Sequence, residues 1–401
     1  MFRARLVQKR FSSVSLKEVV IVSATRTATG AFGKSLKSLT GPQLGAVAIK
    51  GAVEKAGLKP EQIEEVYMGN VVSAGVGQAP ARQATLYAGL PESTEATTIN
   101  KVCASGLKAV MLAAQNLQTG QRDIMVAGGF ESMSNAPFYF PRNAAYGNQI
   151  AKDGILHDGL TDPYNNIHMG NCAEGTAKEH GITREQQDEF AISSYTRAAE
   201  AWKKGAFKGE ITPIVLKSKK GDVVFAEDEG YKDVNFSKLP SLRPAFEKEG
   251  TITAANASTL NDGASALVLM TREKANELGI KPLAKIISFA DAATNPKKFA
   301  IAPSLAIPKA LEKAGITIKD VDLFEINEAF SVVIRANEKI LGIDPKKVNV
   351  NGGGVSLGHP IGSSGSRILV TLVHLLEKGQ IGCAAICNGG GAASSMVIQK
   401  E

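Results

Sequence analysis

Hydrophobic and polar positions along this chain switch between two periods. Residues 19–22 (Val-Val-Ile-Val) form a continuous apolar run bounded by polar residues, which predicts a strand covered on both faces. Residues 41–56 place Leu44, Val47, Ala48 and Val53 near helical spacing and stop at Gly57, which predicts a helix ending at that glycine. Short strands are predicted at 65–70 and 323–327. After Cys103, the residues Leu107, Val110, Met111, Ala114 and Leu117 mark the apolar face of another helix. Alternation of this kind implies an α/β fold, with helices covering parallel or mixed sheets.

The pattern occurs twice. Lys-Ala-Gly-Leu at 55–58 is answered by Lys-Ala-Gly-Ile at 313–316, and an aliphatic residue (Ile63, Val321) follows each lysine by eight positions. Asn70 precedes Cys103 by 33 residues, and Asn327 precedes His359 by 32. The segment 125–129 matches 385–390. Cys103 and His359 therefore hold equivalent places in two copies of one βα unit. So long a period means a duplicated domain and not a solenoid. Residues 135–253 break the pattern with scattered prolines, many Asn and Gly, and a charged helical stretch at 184–208. A long ordered insertion in a compact domain points to a lid or ligand-binding element. The organisation expected is a leader at 1–16, a first half at 17–134 and 254–283, an inserted loop domain at 135–253, and a second half at 284–401.

Composition narrows the function. No apolar run approaches the length of a membrane span. The first 16 residues carry Arg3, Arg5, Lys9 and Arg10, three serines and no acid, with Phe2, Leu6 and Phe11 interleaved, as in a mitochondrial transit peptide. Those four bases supply most of the formal charge of +7. The remaining chain is only mildly basic, which suits a polyanionic small molecule and gives no nucleic-acid surface. Four cysteines (103, 172, 383, 387) are too few for a secreted disulfide framework. Cys383 and Cys387 form C-x3-C, but no second ligand pair with zinc spacing follows.

Three residues carry the candidate chemistry. Cys103 lies between a β-type segment and a helix, where the helix N-terminus favours a thiolate, and Ala104, Ser105 and Gly106 leave room for a substrate. His359 sits in a run of glycines between 352 and 365, which predicts a tightly folded turn in place of an ordinary helix. Gly352 and Gly354 do not complete a dinucleotide fingerprint, because position 357 is Leu. Cys387 ends an apolar strand before three glycines, whose N–H groups can face an oxyanion. A free thiol titrates near ~8.5, so it can serve as base and acid near neutrality. His374 lies inside a helical pattern and reads as structural. Two thiols, a base and close backbone donors suit carbon–carbon chemistry on a thioester.

Four motifs, V-C-A-S-G at 102–106, N-E-A-F at 327–330, G-H-P-I-G at 358–362 and C-N-G-G-G at 387–391, resemble the thiolase family in order and spacing. The resemblance covers residues 17–401. His168-Met169-Gly170, the segment 253–258 and Asn388 fit the branch that joins two acetyl groups. The resemblance implies a five-layered αβαβα fold of duplicated halves with an inserted loop domain. It also implies acetylation of Cys103 with His359 as proton acceptor, then proton removal from a second acetyl-CoA by Cys387. His359 and a water held by Asn327 would stabilise the enolate. The backbone N–H groups of Cys103 and Gly389 would stabilise the tetrahedral intermediate. Coenzyme A would lie against Tyr195, Asn235, Lys238 and Ser258, with Met169 and Phe330 lining the acyl pocket. Asp233 departs from the basic residue common in relatives. A potassium ion would be held by Tyr195 and by carbonyls of Ala254, Ala255, Ala257 and Val355. A homotetramer in the mitochondrial matrix, serving ketone-body and isoleucine metabolism, is implied as well. The alternatives are a thiolase for longer 3-ketoacyl chains, a ketoacyl synthase, which normally lacks a counterpart of Cys387, and an inactive acyl-CoA-binding relative.

Overall fold

In the computed structural model of the chain, residues 15–143, 146–219 and 221–401 are described. All but the last two residues of the proposed leader lie outside them. Nine strands build one large sheet: β1 (Val19–Arg26), β2 (Glu65–Gly69), β3 (Glu95–Ile99), β4 (Ile124–Ser132), β5 (Asn261–Thr271), β6 (Ala284–Ala293), β7 (Leu323–Ile326), β8 (Ile381–Asn388) and β9 (Ala392–Lys400). A two-residue strand, Gly30–Ala31, adds to β5. The helices that cover the sheet or frame the site are α1 (Gly41–Lys55), α2 (Pro80–Tyr87), α3 (Ser105–Gln118), α4 (Met169–His180), α5 (Arg184–Lys204), α6 (Pro303–Ala314), α7 (Ser331–Leu341) and α8 (Ile361–Leu375).

The spatial order is β7-β8-β9-β6-β1-β5-β4-β2-β3. Read outward from the β1–β6 junction, the two wings match: β1-β5-β4-β2 on one side and β6-β9-β8-β7 on the other. β3 pairs in parallel with β2, and in the second wing a single parallel bridge, Phe324 to Val348, takes its place. The junction itself is thin, because only Val20 and Ile21 pair with Lys285 and Ala284. Each wing therefore forms its own layer.

Burial follows the predicted faces. Leu107, Val110, Met111, Ala114 and Leu117 of α3 are all buried in the core shared with α8 and both wings. α1 closes the outside of the first wing, and α6 that of the second. The layers run α1/α2, first wing, α3/α8, second wing, α6. α1 begins at Thr40, whose hydroxyl accepts from the Gln43 amide in a capping box, and ends before Gly57 at φ +69°.

The segment 352–365 differs from the predicted turn. Residues 354–357 form one helical turn, and α8 then starts at Ile361 and runs 15 residues through Gly362 and Gly365. These glycines mark close approach. A Cβ on Gly362 would lie 2.5 Å from the Phe130 carbonyl, and one on Gly129 would lie 2.0 Å from the Gly362 carbonyl. Gly69 and Gly106 meet the same helix ends equally tightly. Backbone thus touches backbone where α3, α8, β2 and β4 converge, which brings the segments holding Cys103 and His359 together.

Candidate active site

Cys103 lies two residues before α3, and His359 two residues before α8, as the duplication requires. Val102, next to the thiol, has φ +49°. A β-branched residue in this region is strained, and such strain gathers at functional sites. The main chain of His359 is pinned from β5: its N–H donates to Asn261 Oδ1 at 2.9 Å, and Asn261 Nδ2 donates to the Gly30 carbonyl at 3.0 Å. Gly358, at φ +102°, makes room for Asn261, whose side chain would otherwise overlap a Cβ at 2.5 Å.

Cys103, His359 and Gly389 line one cavity of about 270 Å³. Its walls are otherwise mostly apolar, with Met133, Leu160, Met169, Phe246, Phe299 and Phe330 among them. Ser258 and Ala257 line it too. The Cys103 sulfur faces the backbone N–H groups of Gly389 and of Cys103 itself. Burial pushes this thiol up to about 11, and those two N–H groups pull it back. Burial, with Arg367 nearby, pushes the His359 imidazole down to about 3, so it is neutral at physiological pH. His359 Nε2 is buried and has no hydrogen-bond partner among the described residues.

Cys387 and Asn327 are fully buried just behind this wall and do not line the cavity. Cys387 is close enough to Cys103 for the two sulfurs to interact electrostatically. Burial first, and Cys103 second, push it well above the ordinary thiol range. The value expected for a free thiol does not hold here, because no cation offsets the desolvation. Neither Asn327 Oδ1 nor Nδ2 finds a hydrogen-bond partner among the described residues.

A second groove, of about 310 Å³, is lined by Tyr195, Asp233, Asn235, Lys238, Ala254 and Ala255 among others. Asp233 pairs with Lys34 at 2.8 Å, so the acid in this wall carries its own cation. Val355 packs with Tyr195, Leu239 and Ala255 in one buried cluster beside the groove. Burial, then the Glu328 carboxylate, push the Tyr195 hydroxyl up to about 12. The predicted residues thus divide between two pockets joined by the stretch 254–258, except Cys387, Asn327 and Val355, which are buried and line neither.

Several contributors escaped the sequence reading. Glu131 is buried and accepts from Asn70 Nδ2, from the amides of Val71 and Val72, and from the Gly362 amide at the start of α8. Phe246 stacks on His168 and meets Phe330 edge-on. Nothing local marks either residue; only their long-range partners do.

Residues 19–273 match the family described as "Thiolase, N-terminal domain", and residues 280–400 match "Thiolase, C-terminal domain". The chain is 60% identical over 392 residues to "Acetyl-CoA acetyltransferase, mitochondrial" of Rattus norvegicus, covering 97% of this chain and 92% of that protein. It is 57% identical over 400 residues to the Homo sapiens protein of the same name, covering 99% and 94%. The fold superposes with a TM-score of 0.93 on the Acat5 thiolase of Ascaris suum in complex with coenzyme A, at 48% identity, covering 96% of this chain and all of that one. The acetyl-CoA acetyltransferase of Bacillus anthracis gives the same TM-score at 41% identity, covering 97% and 100%. With both halves matched and so much identity held over nearly its whole length, this chain belongs to the thiolase family.

Proposed function

We propose that this protein is a mitochondrial acetyl-CoA acetyltransferase, which reversibly condenses two acetyl-CoA to acetoacetyl-CoA and coenzyme A. The observation that carries this reading is the meeting of Cys103, neutral His359 and the Gly389 N–H in one small apolar cavity, with the second thiol directly behind. In the first half-reaction Cys103 Sγ attacks the thioester carbonyl as its proton passes to His359 Nε2. His359 keeps that proton on Nε2, and coenzyme A leaves as the free thiol with the proton of Cys387, which makes Cys387 a thiolate. In the second, Cys387, as thiolate, takes a proton from the α-carbon of another acetyl-CoA. The carbanion attacks acetyl-Cys103, and the Cys103 and Gly389 N–H groups hold the tetrahedral oxyanion. Collapse expels the Cys103 thiolate, which takes its proton back from His359 Nε2, while Cys387 keeps the proton from the α-carbon. The enolate oxygen is assigned to His359 and a water on Asn327, whose buried amide has no partner of its own. Oxyanion donors of this kind contribute about 3–4 kcal/mol each.

Coenzyme A is assigned to the groove of Tyr195, Asn235 and Lys238, with Ser258 on the way to the cavity and Met169 and Phe330 around the acetyl group. Residues 135–253 would act as the loop domain between halves 17–134 with 254–283 and 284–401. A monovalent cation fits the oxygen set of Tyr195 and the carbonyls of Ala254, Ala255, Ala257 and Val355, with buried Glu328 nearby to balance its charge. Potassium there would order the wall of the coenzyme groove. Rates equal in sodium and potassium would remove it. The open edge of β3 and the exposed Phe138, Phe140 and Tyr164 support a homotetramer.

Cys103→Ser tests the reading: it should form no acetyl-enzyme from acetyl-CoA yet still bind coenzyme A. Undiminished turnover would end the assignment. Faster thiolysis of 3-ketohexadecanoyl-CoA than of acetoacetyl-CoA would favour a long-chain thiolase instead. The 2-methyl substrate reads out the place in isoleucine breakdown.

A further inference from the structure

We propose that Ser364 is a positioning residue that holds His359 in the tautomer protonated at Nδ1, leaving Nε2 as the acceptor that faces the cavity. The proposal deepens the reading of His359 as the proton acceptor for Cys103 and rests on it. His359 Nδ1 and Ser364 Oγ lie 2.5 Å apart, a short contact within which one proton must be shared. The Ser364 hydroxyl has a single proton, and the Pro360 carbonyl at 2.9 Å can only accept it. With the serine proton on that carbonyl, the proton between serine and histidine belongs to the imidazole. The opposite tautomer would turn the serine proton onto Nδ1 and place an N–H on Nε2. That N–H would be buried, and Nε2 has no acceptor among the described residues. A stranded buried donor costs more than the lone pair left open in the first arrangement. With Nε2 unprotonated, the Cys103 thiol in the same cavity has somewhere to send its proton.

The three positions lie on one structural piece. Pro360 precedes α8, and Ser364 sits in its first turn, with its own amide also bonded to the Pro360 carbonyl at 3.0 Å. Neighbouring Ser363 and Ser366 turn the other way, toward Ser265 on β5. The sequence Ser363-Ser364 alone does not reveal which serine serves the ring. The arrangement has the logic of a triad, in which a third group sets the tautomer of the base. Here the third group is a neutral hydroxyl. It orients the ring without adding charge to a site where Arg367 faces the imidazole and Glu131 binds the same helix end.

The test is magic-angle-spinning NMR of the 15N-histidine-labelled full chain at pH 7, with His359→Asn identifying the His359 signals. The expected spectrum has a protonated Nδ1 and an unprotonated Nε2. Ser364→Ala should populate the other tautomer and slow acetyl transfer by about 10–100-fold, the range found for partners that orient a metal-binding imidazole. KM for acetyl-CoA should stay within about twofold, and Ser364→Thr, which keeps the hydroxyl, should recover most of the rate. A wild-type spectrum with the proton on Nε2 overturns the proposal, whatever the variants do. So does an S364A chain with unchanged tautomer and rate. Wild-type protein that forms no acetyl-enzyme would instead remove the function assigned to the site, while the spectrum would still decide what Ser364 does.

Discussion

Arg26 offers the sharpest test of how the inserted segment is held. It ends β1 with its side chain fully buried. Its Nε donates to Glu210 at 2.5 Å, and its two terminal nitrogens grip Asp228 at 2.7 and 3.0 Å. Burial works against the charge, but Asp228 and Glu210 outweigh it and hold the guanidinium above its ordinary range. In Arg26→Met, Asp228 keeps the Thr29 amide and Trp202 Nε1, whereas Glu210 keeps only Thr371 Oγ at 3.3 Å. Two carboxylates would then be buried without a bonded cation, Glu210 keeping only the more distant charges of Lys55 and Arg367. Removing one partner of such a group costs about 3–5 kcal/mol, a large share of the ~5–15 kcal/mol that holds a domain together. Urea unfolding at pH 8 should show that loss. Adding Glu210→Gln and Asp228→Asn should recover part of the stability. A loss below about 1 kcal/mol, or one that the two neutralising changes leave unrecovered, would refute the argument, since a packing defect alone is not relieved by removing charge. The segment from Asp228 continues into the groove of Asp233, Asn235 and Lys238, so R26M should also raise KM for coenzyme A.

Three further outcomes follow from the same structure. A Cβ on Gly170 would sit 2.4 Å from the Phe246 ring, so Gly170→Ala should push that ring into the cavity and depress acetoacetyl-CoA thiolysis, while Phe246→Ala should raise the relative rate on six-carbon substrates; unchanged chain-length ratios in both would count against the wall assignment. His359 falls from 6.5 to about 3 on folding, so the native state resists a proton that the unfolded chain accepts, and stability should decline as pH drops from about 6.5 toward 3; urea midpoints of His359→Asn should decline less over that window. Glu131→Gln keeps one oxygen for four N–H donors and sets its amide against two of them, which should cost about 2–5 kcal/mol in chemical denaturation and loosen the start of α8; wild-type stability would show that the carboxylate is dispensable.

Much of this molecule was legible one segment at a time. The apolar face of α3 and the glycine stop of α1 depend on local periodicity, and the structure has both. The paired lysine–alanine–glycine signals gave the equivalence of Cys103 and His359 before any contact was known, because duplication leaves a trace in spacing. The motifs named the family. α8 was missed because its glycines look like helix breakers, when Gly362 and Gly365 are small for the sake of Phe130 and Leu107.

What the sequence determined by itself was the family, the candidate reactive groups and the strands and helices that carry them, since these are written in neighbouring residues. Tertiary structure alone decided their state: that His359 is neutral with one nitrogen open, that Cys387 is sealed from solvent, and that Glu131, Phe246 and Arg26 serve the site. Charge, protonation and cavity shape depend on desolvation and on partners tens to hundreds of residues away, and those distances exist only once the two wings have closed on α3 and α8.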